Sequence, residues 1–360
     1  MNRLLITCIF SCVALHFTLK CAADEYDLSN NFGRYLRENT HNLPGLASYA
    51  ADGGIVVTSI FSRGYREIAA NFMYSLVRFG QVHRVLMATF EESSLLECLS
   101  LGFICFDASG LLKESLSTNQ DIQYGSAQYH KLMWTKPLVI NALLQLNYNV
   151  LYSDLDTVWF KGAIRSMSTP ALLYDADVVG MNDGNAGYPN AGNMFLKANN
   201  RTRRLLDSWL KEGQKGSGQS DGHLREDKHD QDGLRDIKQA AWDTCNSSDS
   251  CLKIRGDEAT LIASVWLHPW HGCPWDNSGS NFCLDTKFAY LHIFCTNQGV
   301  PAKTKMAKEL GLWFLHSDAA SIHFRGARWD ALIDYKIQHE LDQKDPMKVL
   351  PCPRDALVWT

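Results

Sequence analysis

The stretch YNVLYSDLDTVWF, Tyr148–Phe160, sets Asp154 and Asp156 one residue apart at the end of an otherwise apolar run. Charges at the end of a buried strand need partners. Two carboxylates so spaced can hold a hard divalent cation, Mn²⁺ or Mg²⁺, which takes oxygen ligands and leaves positions open for phosphates. A cation held this way can bridge a diphosphate and neutralise the charge that develops as the diphosphate leaves. The chain has no G-x-x-x-x-G-K-[ST] segment, and no G-x-G-x-x-G follows its first strand. A phosphate-binding loop and a dinucleotide site are therefore unsupported. The remaining chemistry is loss of a nucleoside diphosphate from a sugar nucleotide.

D-x-D alone is a weak signal, since about one or two matches arise by chance in a chain this long. Three occur: Asp154/Asp156, Asp175/Asp177 and Asp230/Asp232. The pair at 230 lies in a polar, Gly-rich segment and reads as solvated. The pair at 175 precedes a short strand, DVVGM. Only the pair at 154 follows a long apolar strand and leads into TVWF.

The elements around that pair follow from hydrophobic period. GGIVVTSIF (53–61) is a β-branched run typical of a strand buried on both faces. REIAANFMYSLVRFG follows with helical spacing and Gly80 as its expected C-cap. HRVLMATF reads as a strand, SSLLECLSLG as a helix ending at Gly102, and FICFDA as a third strand. Strand–helix alternation of this kind predicts a parallel sheet with right-handed crossovers. Residues 128–147 form a long amphipathic helix, with Pro137 a candidate kink. Asp154 and Asp156 then stand at the carboxyl end of a central strand, where open α/β sheets bind ligands. Residues 213–235 are polar and Gly-rich and read as a long mobile loop.

The N-terminus carries Arg3, an apolar run from Leu4 to Leu19, Lys20 and small residues, the layout of a signal peptide. The run is short against the roughly 20 residues of a spanning helix, so cleaved signal peptide and retained membrane anchor both stay open. Either route leads into the secretory pathway, with the Golgi lumen the expected destination and secretion an alternative. Residues 1–23 are read as this leader, 24–52 as a stem or linker, 53–335 as the folded domain and 336–360 as a tail. Of 11 cysteines three lie in the leader, and the remainder suit disulfides in an oxidising compartment. Cys245–Cys251 and Cys273–Cys283 are the favoured pairs. Sequons at Asn200 and Asn246 fit a lumenal chain. The formal net charge of −4 argues against a nucleic-acid partner, which needs a basic face. Apolar content of 46 % is enough for a sizeable core.

LLQLNYNVLYSDLDTVWFKG resembles the nucleotide-diphospho-sugar transferase family of GT-A glycosyltransferases. Its members include the rhamnogalacturonan xylosyltransferases and extensin arabinosyltransferases of glycosyltransferase family 77. The resemblance covers roughly residues 53–330. KPLVINALLQLNYNVLYSDLD resembles the family's lysine-bearing helix and metal strand, with Lys136 as the lysine. YPNAGNMFLKAN resembles its N-x-G strand, on Asn190 and Gly192. GDEATLI resembles its D-Q motif, Asp257 matching and Glu258 standing for Gln. LHIFCTNQGVPAKTKMAKELGLW resembles its late His…Gly…Lys…Leu-Trp segment, on His292, Gly299, Lys303 and Trp313. Ile293 and Phe294 stand where the family has Asn, and one extra residue precedes Gly299.

The resemblance implies a twisted, mostly parallel α/β sheet of the Rossmann-like GT-A type. It also implies retaining transfer from a UDP-sugar donor to a glycan or glycoprotein acceptor. It makes His292 a third metal ligand beside Asp154 and Asp156, with His316 and His323 as competitors. Lys303, and Lys305 near it, would meet the leaving diphosphate, since Lys is a compact charge suited to phosphate. Lys136, Asn190, Gly192 and Gly299 would line the donor site, and Asp257 would act at the reaction centre or cap a helix EATLIASVW. Trp266, Trp270, Trp275, Trp313 and Trp329 are candidates for a sugar platform or for plain core filling. Two alternatives stand beside the transferase. A sugar-binding protein on the same fold has no need of the metal pair. A glycoside hydrolase needs carboxylates set apart across a cleft, not adjacent.

Overall fold

The computed structural model describes residues 34–113, 116, 122–123, 125–182, 189–215, 223–237, 240–245, 259–264, 289–293, 299–309 and 312–315. Helix α1 (Leu43–Ala50) leads into β1 (Ile55–Ile60), and α2 (Arg66–Arg78), β2 (Leu86–Thr89), α3 (Glu92–Ser100) and β3 (Ile104–Asp107) follow. The long helix α4 (Ala127–Gln145) precedes β4 (Asn149–Ser153) and β5 (Thr157–Trp159). Then come α5 (Ala163–Leu173), β6 (Val178–Asn182), β7 (Pro189–Leu196), α6 (Asn200–Gln214) and α7 (Asp230–Asp236). The later strands are β8 (Ala240–Cys245), β9 (Ala259–Ser264) and β10 (Tyr290–His292), and α8 (Gly299–Glu309) comes last.

Eight strands form one sheet in the order β3-β2-β1-β4-β7-β6-β9-β8. Every pairing is parallel except those of β7 with β4 and β6. From β1 the chain moves outward through β2 to β3, then crosses back to place β4 on the other side of β1. That reversal opens a crevice at the carboxyl ends of β1 and β4, the usual ligand position in such sheets. A separate antiparallel pair, β5 with β10, lies beyond the end of β4. The expected mixed α/β sheet is observed, with β7 as its one antiparallel strand among the described residues.

Period-two alternation feeds two cores. Val57, Met87, Cys105, Leu151, Val179 and Phe195 face one layer with α2 and α5. Val56, Leu86, Val150, Tyr152, Met194 and Leu196 face the other with α1, α4 and α6. β1 is buried along its whole length, as its uninterrupted apolar run implies.

Several expectations are corrected. Helix α1 falls within the segment read as a stem, yet Leu43, Leu46, Ala47 and Ala50 are all buried. Their i, i+3, i+4, i+7 spacing is a helical stripe, so the folded unit begins before residue 53. Gly80 does not take the left-handed turn after α2; Gln81 does, at φ 56°. Gly80 is needed for close approach instead, because a Cβ there would lie 2.7 Å from the Leu76 carbonyl oxygen. Gly102 does turn left-handed, at φ 74°, ending α3 as expected. Ala259–Ser264 is a strand, not part of a helix. A disulfide joins Cys98 of α3 to Cys105 of β3. Of the two favoured pairings, Cys245 ends β8, while Cys251, Cys273 and Cys283 lie outside the described residues, as do the leader, Asn246 and the tail. Among the described residues no helix is long and apolar enough to cross a membrane.

Candidate active site

The turn from β4 to β5 carries both aspartates, and β7 braces it. The Asp154 amide donates to the Gly192 carbonyl at 2.7 Å. Ser153 Oγ donates to Asn193 Oδ1 at 2.6 Å, and Asn193 Nδ2 donates to Thr157 Oγ1 at 3.0 Å. These groups are fully buried, so the lattice fixes where the carboxylates start. Asp154 and Asp156 then diverge.

Asp154 meets groups from its own layer. Tyr152 donates its hydroxyl to Oδ1 at 2.7 Å. Lys136 of α4 approaches Oδ1 at 3.4 Å and reaches Asp230 Oδ2 at 3.1 Å. Both Lys136 and Asp230 are only 3 % exposed. This overturns the reading of Asp230 as a solvated loop residue. Segment 223–236 is held down by two indoles, Trp134 Nε1 donating to Lys228 O at 2.7 Å and Trp209 Nε1 to Asp230 O at 2.9 Å. Gly213 and Gly233 let that segment seat on Trp134, since a Cβ at either would lie 2.5 or 2.1 Å from the ring. Gln231, the next residue, accepts through Oε1 from the Ala191 amide at 2.5 Å.

Asp156 meets groups from late in the chain. Strand β10 pairs with β5 so that His292 stands opposite Thr157. The Ile293 amide donates to the Asp156 carbonyl at 2.8 Å. His292 Nε2 lies 3.1 Å from Asp156 Oδ1 and 3.7 Å from Asp154 Oδ2. Lys303, one turn into α8, contacts Asp156 Oδ2. Gly299 opens α8 at φ 71°, a backbone conformation that glycine adopts without strain.

Asp154, Asp156 and His292 each offer a ligand atom, all within 4.8 Å of one another. Gly192 sits directly beneath them. A Cβ there would lie 2.2 Å from His292 Cε1 and 2.6 Å from Asp154 Oδ2, so only glycine leaves the cradle open. Two carboxylates and one imidazole suit Mn²⁺, a cation that accepts oxygen and nitrogen donors, and Mg²⁺ less closely. The donor set fits a divalent cation.

The electrostatics separate the two carboxylates. Burial raises the pKa of Asp154, Lys136 opposes that only in part, and the nearby Asp156 charge adds to the rise. For Asp156, burial also pushes upward, but Lys303 and His292 outweigh it and hold the carboxyl well below the usual carboxylate range. Burial works against the Lys136 charge, yet Asp154 and Asp230 raise its pKa above the ordinary lysine value. Tyr152 is raised by burial and by Asp154, so it remains a hydroxyl donor.

Of the residues named from sequence, Lys136, Asp154, Asp156, Asn190, Gly192, His292 and Lys303 gather around this one turn, and Gly299 opens the helix that carries Lys303. Lys305 is exposed. Trp313 packs beneath Lys308, whose Nζ lies 5.2 Å from the ring centroid. Asp257, Glu258, His316, His323, Trp266, Trp270, Trp275 and Trp329 lie outside the described residues. Sequence reasoning passed over Asp230 and Gln231. The signal was present, since KHDQDG contains a literal Asp-Gln pair where GDEATLI offers Asp-Glu.

The fold and the carboxylate turn define a nucleotide-sugar enzyme class, and the chain belongs to the nucleotide-diphospho-sugar transferase family, whose profile matches residues 80–307. Among curated proteins it is similar to MGP4 of Arabidopsis thaliana, a UDP-D-xylose:L-fucose alpha-1,3-D-xylosyltransferase. The two are 21 % identical over 185 residues, which is 48 % of this chain and 51 % of the relative. The chain thus spans about half the length of that relative. Among solved structures, mouse xyloside xylosyltransferase 1 aligns at 14 % identity and TM-score 0.40, over 69 % of this chain and 99 % of that one. The glycosyltransferase GlyE of Streptococcus pneumoniae TIGR4 aligns at 11 % identity and TM-score 0.34, over 50 % and 42 %.

Proposed function

We propose that the protein is a metal-dependent glycosyltransferase. It moves a sugar from a UDP-sugar to a glycan or glycoprotein acceptor, with retention, in the lumen of the secretory pathway. The observation that carries this reading is the convergence of Asp154, Asp156 and His292 above Gly192. These three residues would hold Mn²⁺ or Mg²⁺. A cation there supplies charge neutralisation for the departing UDP.

The chain's own residues have separate tasks. Lys303 meets the diphosphate as a point charge. Asn190 and Gly192, with Asp230 and Gln231 beside them, line the donor sugar. Lys136 favours the charged form of Asp154 against burial and fixes its direction. Asp257 is kept as a candidate at the reaction centre. The donor to test first is a UDP-pentose, because the curated relative is named for UDP-D-xylose.

The test is release of UDP from a panel of UDP-sugars, with and without Mn²⁺, by the wild type, Asp154→Asn and Asp156→Asn. Asn keeps the shape and removes the charge, which spares buried Lys303 the loss of all contact. Metal-dependent release that falls more than about a hundredfold in both variants supports the reading, since even indirect partners of a metal cost about 10–100-fold. Release unaffected by metal or by the variants refutes it. Sugar binding without UDP release identifies a lectin-like protein instead.

A further inference from the structure

Two lysines serve the aspartate turn, and they are held differently. Lys136 bridges two carboxylates, Asp154 and Asp230, both within 3.4 Å. It keeps a full counter-charge in Asp230 even when Asp154 is engaged elsewhere. Lys303 lies on α8 with 14 % side-chain exposure, and Asp156 is the carboxylate it pairs with among the described residues. That pairing uses Oδ2, while Oδ1 faces His292 Nε2 at 3.1 Å. Both oxygens of Asp156 are therefore occupied by nitrogen.

This has a thermodynamic consequence. A divalent cation on Asp154, Asp156 and His292 would set two positive charges within a few ångströms of the Lys303 ammonium. At such separations like charges in a poorly solvated site repel strongly. The ammonium must leave Asp156, and a largely buried cation needs another anion. A nucleoside diphosphate is an anion of the right chemistry, next to the same turn.

We propose that Lys303 is an internal counter-ion that competes with the divalent cation for Asp156, and that a nucleoside diphosphate relieves the competition by taking Lys303. The apparent metal affinity without nucleotide is then the intrinsic affinity reduced by the fraction of molecules in which Lys303 is off Asp156. Metal and diphosphate bind cooperatively through this one side chain, beyond whatever direct bond they form with each other. The proposal rests on the reading of the turn as a metal site.

The test is calorimetric titration of the full chain with Mn²⁺ alone, and with Mn²⁺ at saturating UDP. The proteins are the wild type, Lys303→Gln, Lys303→Arg and Asp156→Asn. Lys303→Gln is expected to bind Mn²⁺ alone at least about fivefold more tightly than the wild type, the low end of typical site coupling. Its gain from UDP shrinks by the same factor, and Lys303→Arg, which keeps the charge, stays near the wild type. If Asp156→Asn abolishes Mn²⁺ binding but Lys303→Gln binds no more tightly than the wild type, the competition is refuted and the metal site stands. If Asp156→Asn changes nothing, the metal site itself is refuted, and the proposal with it. A second measurement needs no variant. Acylation of Lys303 in the wild type, followed by mass spectrometry, should rise on adding Mn²⁺ alone and fall on adding UDP as well. Labelling of Lys303 that Mn²⁺ alone leaves unchanged overturns the proposal even if Lys303→Gln does not fold.

Discussion

Asp154 and Asp156 are one residue apart, yet the two sides of the turn are built in different ways. The Asp154 side is a closed, buried network: Tyr152 from the same strand, Lys136 from the preceding helix, and Asp230 delivered by a segment seated on Trp134 and Trp209. The Asp156 side is assembled from the far end of the domain, through β10 and α8. The pKa directions follow the same division. Asp154 is raised, chiefly by burial, and Asp156 is lowered because Lys303 and His292 overcome burial. Of the two carboxylates, Asp154 is therefore the one whose surroundings favour a proton. With Lys303 leaving Asp156 as proposed, one short turn joins a rigid support to an exchangeable one.

The largest effect should come from breaking the rigid side. Asp230→Ala leaves Lys136 with only Asp154, in a site 3 % exposed. Removing one member of a buried ion pair typically costs about 3–5 kcal/mol. We expect a loss near the low end, about 3 kcal/mol, because Asp154 remains, together with a fall in UDP release. Replacing both charges, as Lys136→Met with Asp230→Leu, should recover much of the stability and none of the activity. Urea denaturation of the three proteins measures this. A cost below about 1 kcal/mol for Asp230→Ala would mean the network is not closed as described.

The next effect is steric and tests how Asp230 is delivered. A Cβ at Gly233 would lie 2.1 Å from the Trp134 ring. Gly233→Ala should cost about 1–3 kcal/mol by overpacking and shift α7, so metal-dependent turnover falls while the Asp156 side keeps its order. Hydrogen exchange should quicken in 223–236 and stay unchanged in 299–309. Faster exchange in both segments would show that the two sides are one unit.

These two residues also mark how far the sequence could be read. The strands and the carboxylate turn were legible because their signals are local: an apolar run, a glycine and two acids within a few residues. The helical stripe of α1 was equally local, but mixed polarity around it made it read as a stem. His292 and Lys303 were reachable only by resemblance, since strand pairing across more than a hundred residues leaves no local period. Asp230 was misread because a polar, Gly-rich segment ordinarily stays in solvent. Its burial depends on Trp209 Nε1 satisfying its carbonyl and Trp134 Nε1 satisfying that of Lys228, and on glycines that permit the contact. The Cys98–Cys105 bridge was not legible because neither cysteine lies in a loop cluster; helix α3 returns onto β3 to join them.

A milder perturbation addresses the exchangeable side. Asn71 of α2 is buried and clamps the segment after α8, donating to Leu312 O at 3.1 Å and accepting from the Phe314 amide at 2.8 Å. Asn71→Ala removes both bonds at about 1 kcal/mol each. Exchange in 299–309 should quicken with little change in 223–236, the mirror image of Gly233→Ala. If Lys303 is positioned through this clamp, the KM for the UDP-sugar rises while kcat changes little. An unchanged KM would place the anchoring of α8 elsewhere.

The smallest effect is a pH slope at the same contact. Tyr74 of α2 stacks on Phe314 with ring centroids 5.1 Å apart. Burial pushes its hydroxyl up to about 12, and Arg78 lowers it only in part. In the unfolded chain a tyrosine titrates near about 10. The folded state thus holds the proton to higher pH, and between those values unfolding releases it. Stability contributed by Tyr74 is complete below about pH 10 and is lost as pH rises toward 12. Lys136 and Lys303, also raised, add to the same alkaline decline. Tyr74→Phe removes only the tyrosine contribution. Because Tyr74 keeps some solvent contact, its slope should be under about 1 kcal/mol per pH unit. Urea midpoints at pH 9, 10 and 11 should fall less steeply for Tyr74→Phe than for the wild type. Parallel declines would mean that Phe314 leaves Tyr74 wet, and that the aromatic stack does not help hold the Asp156 side in place.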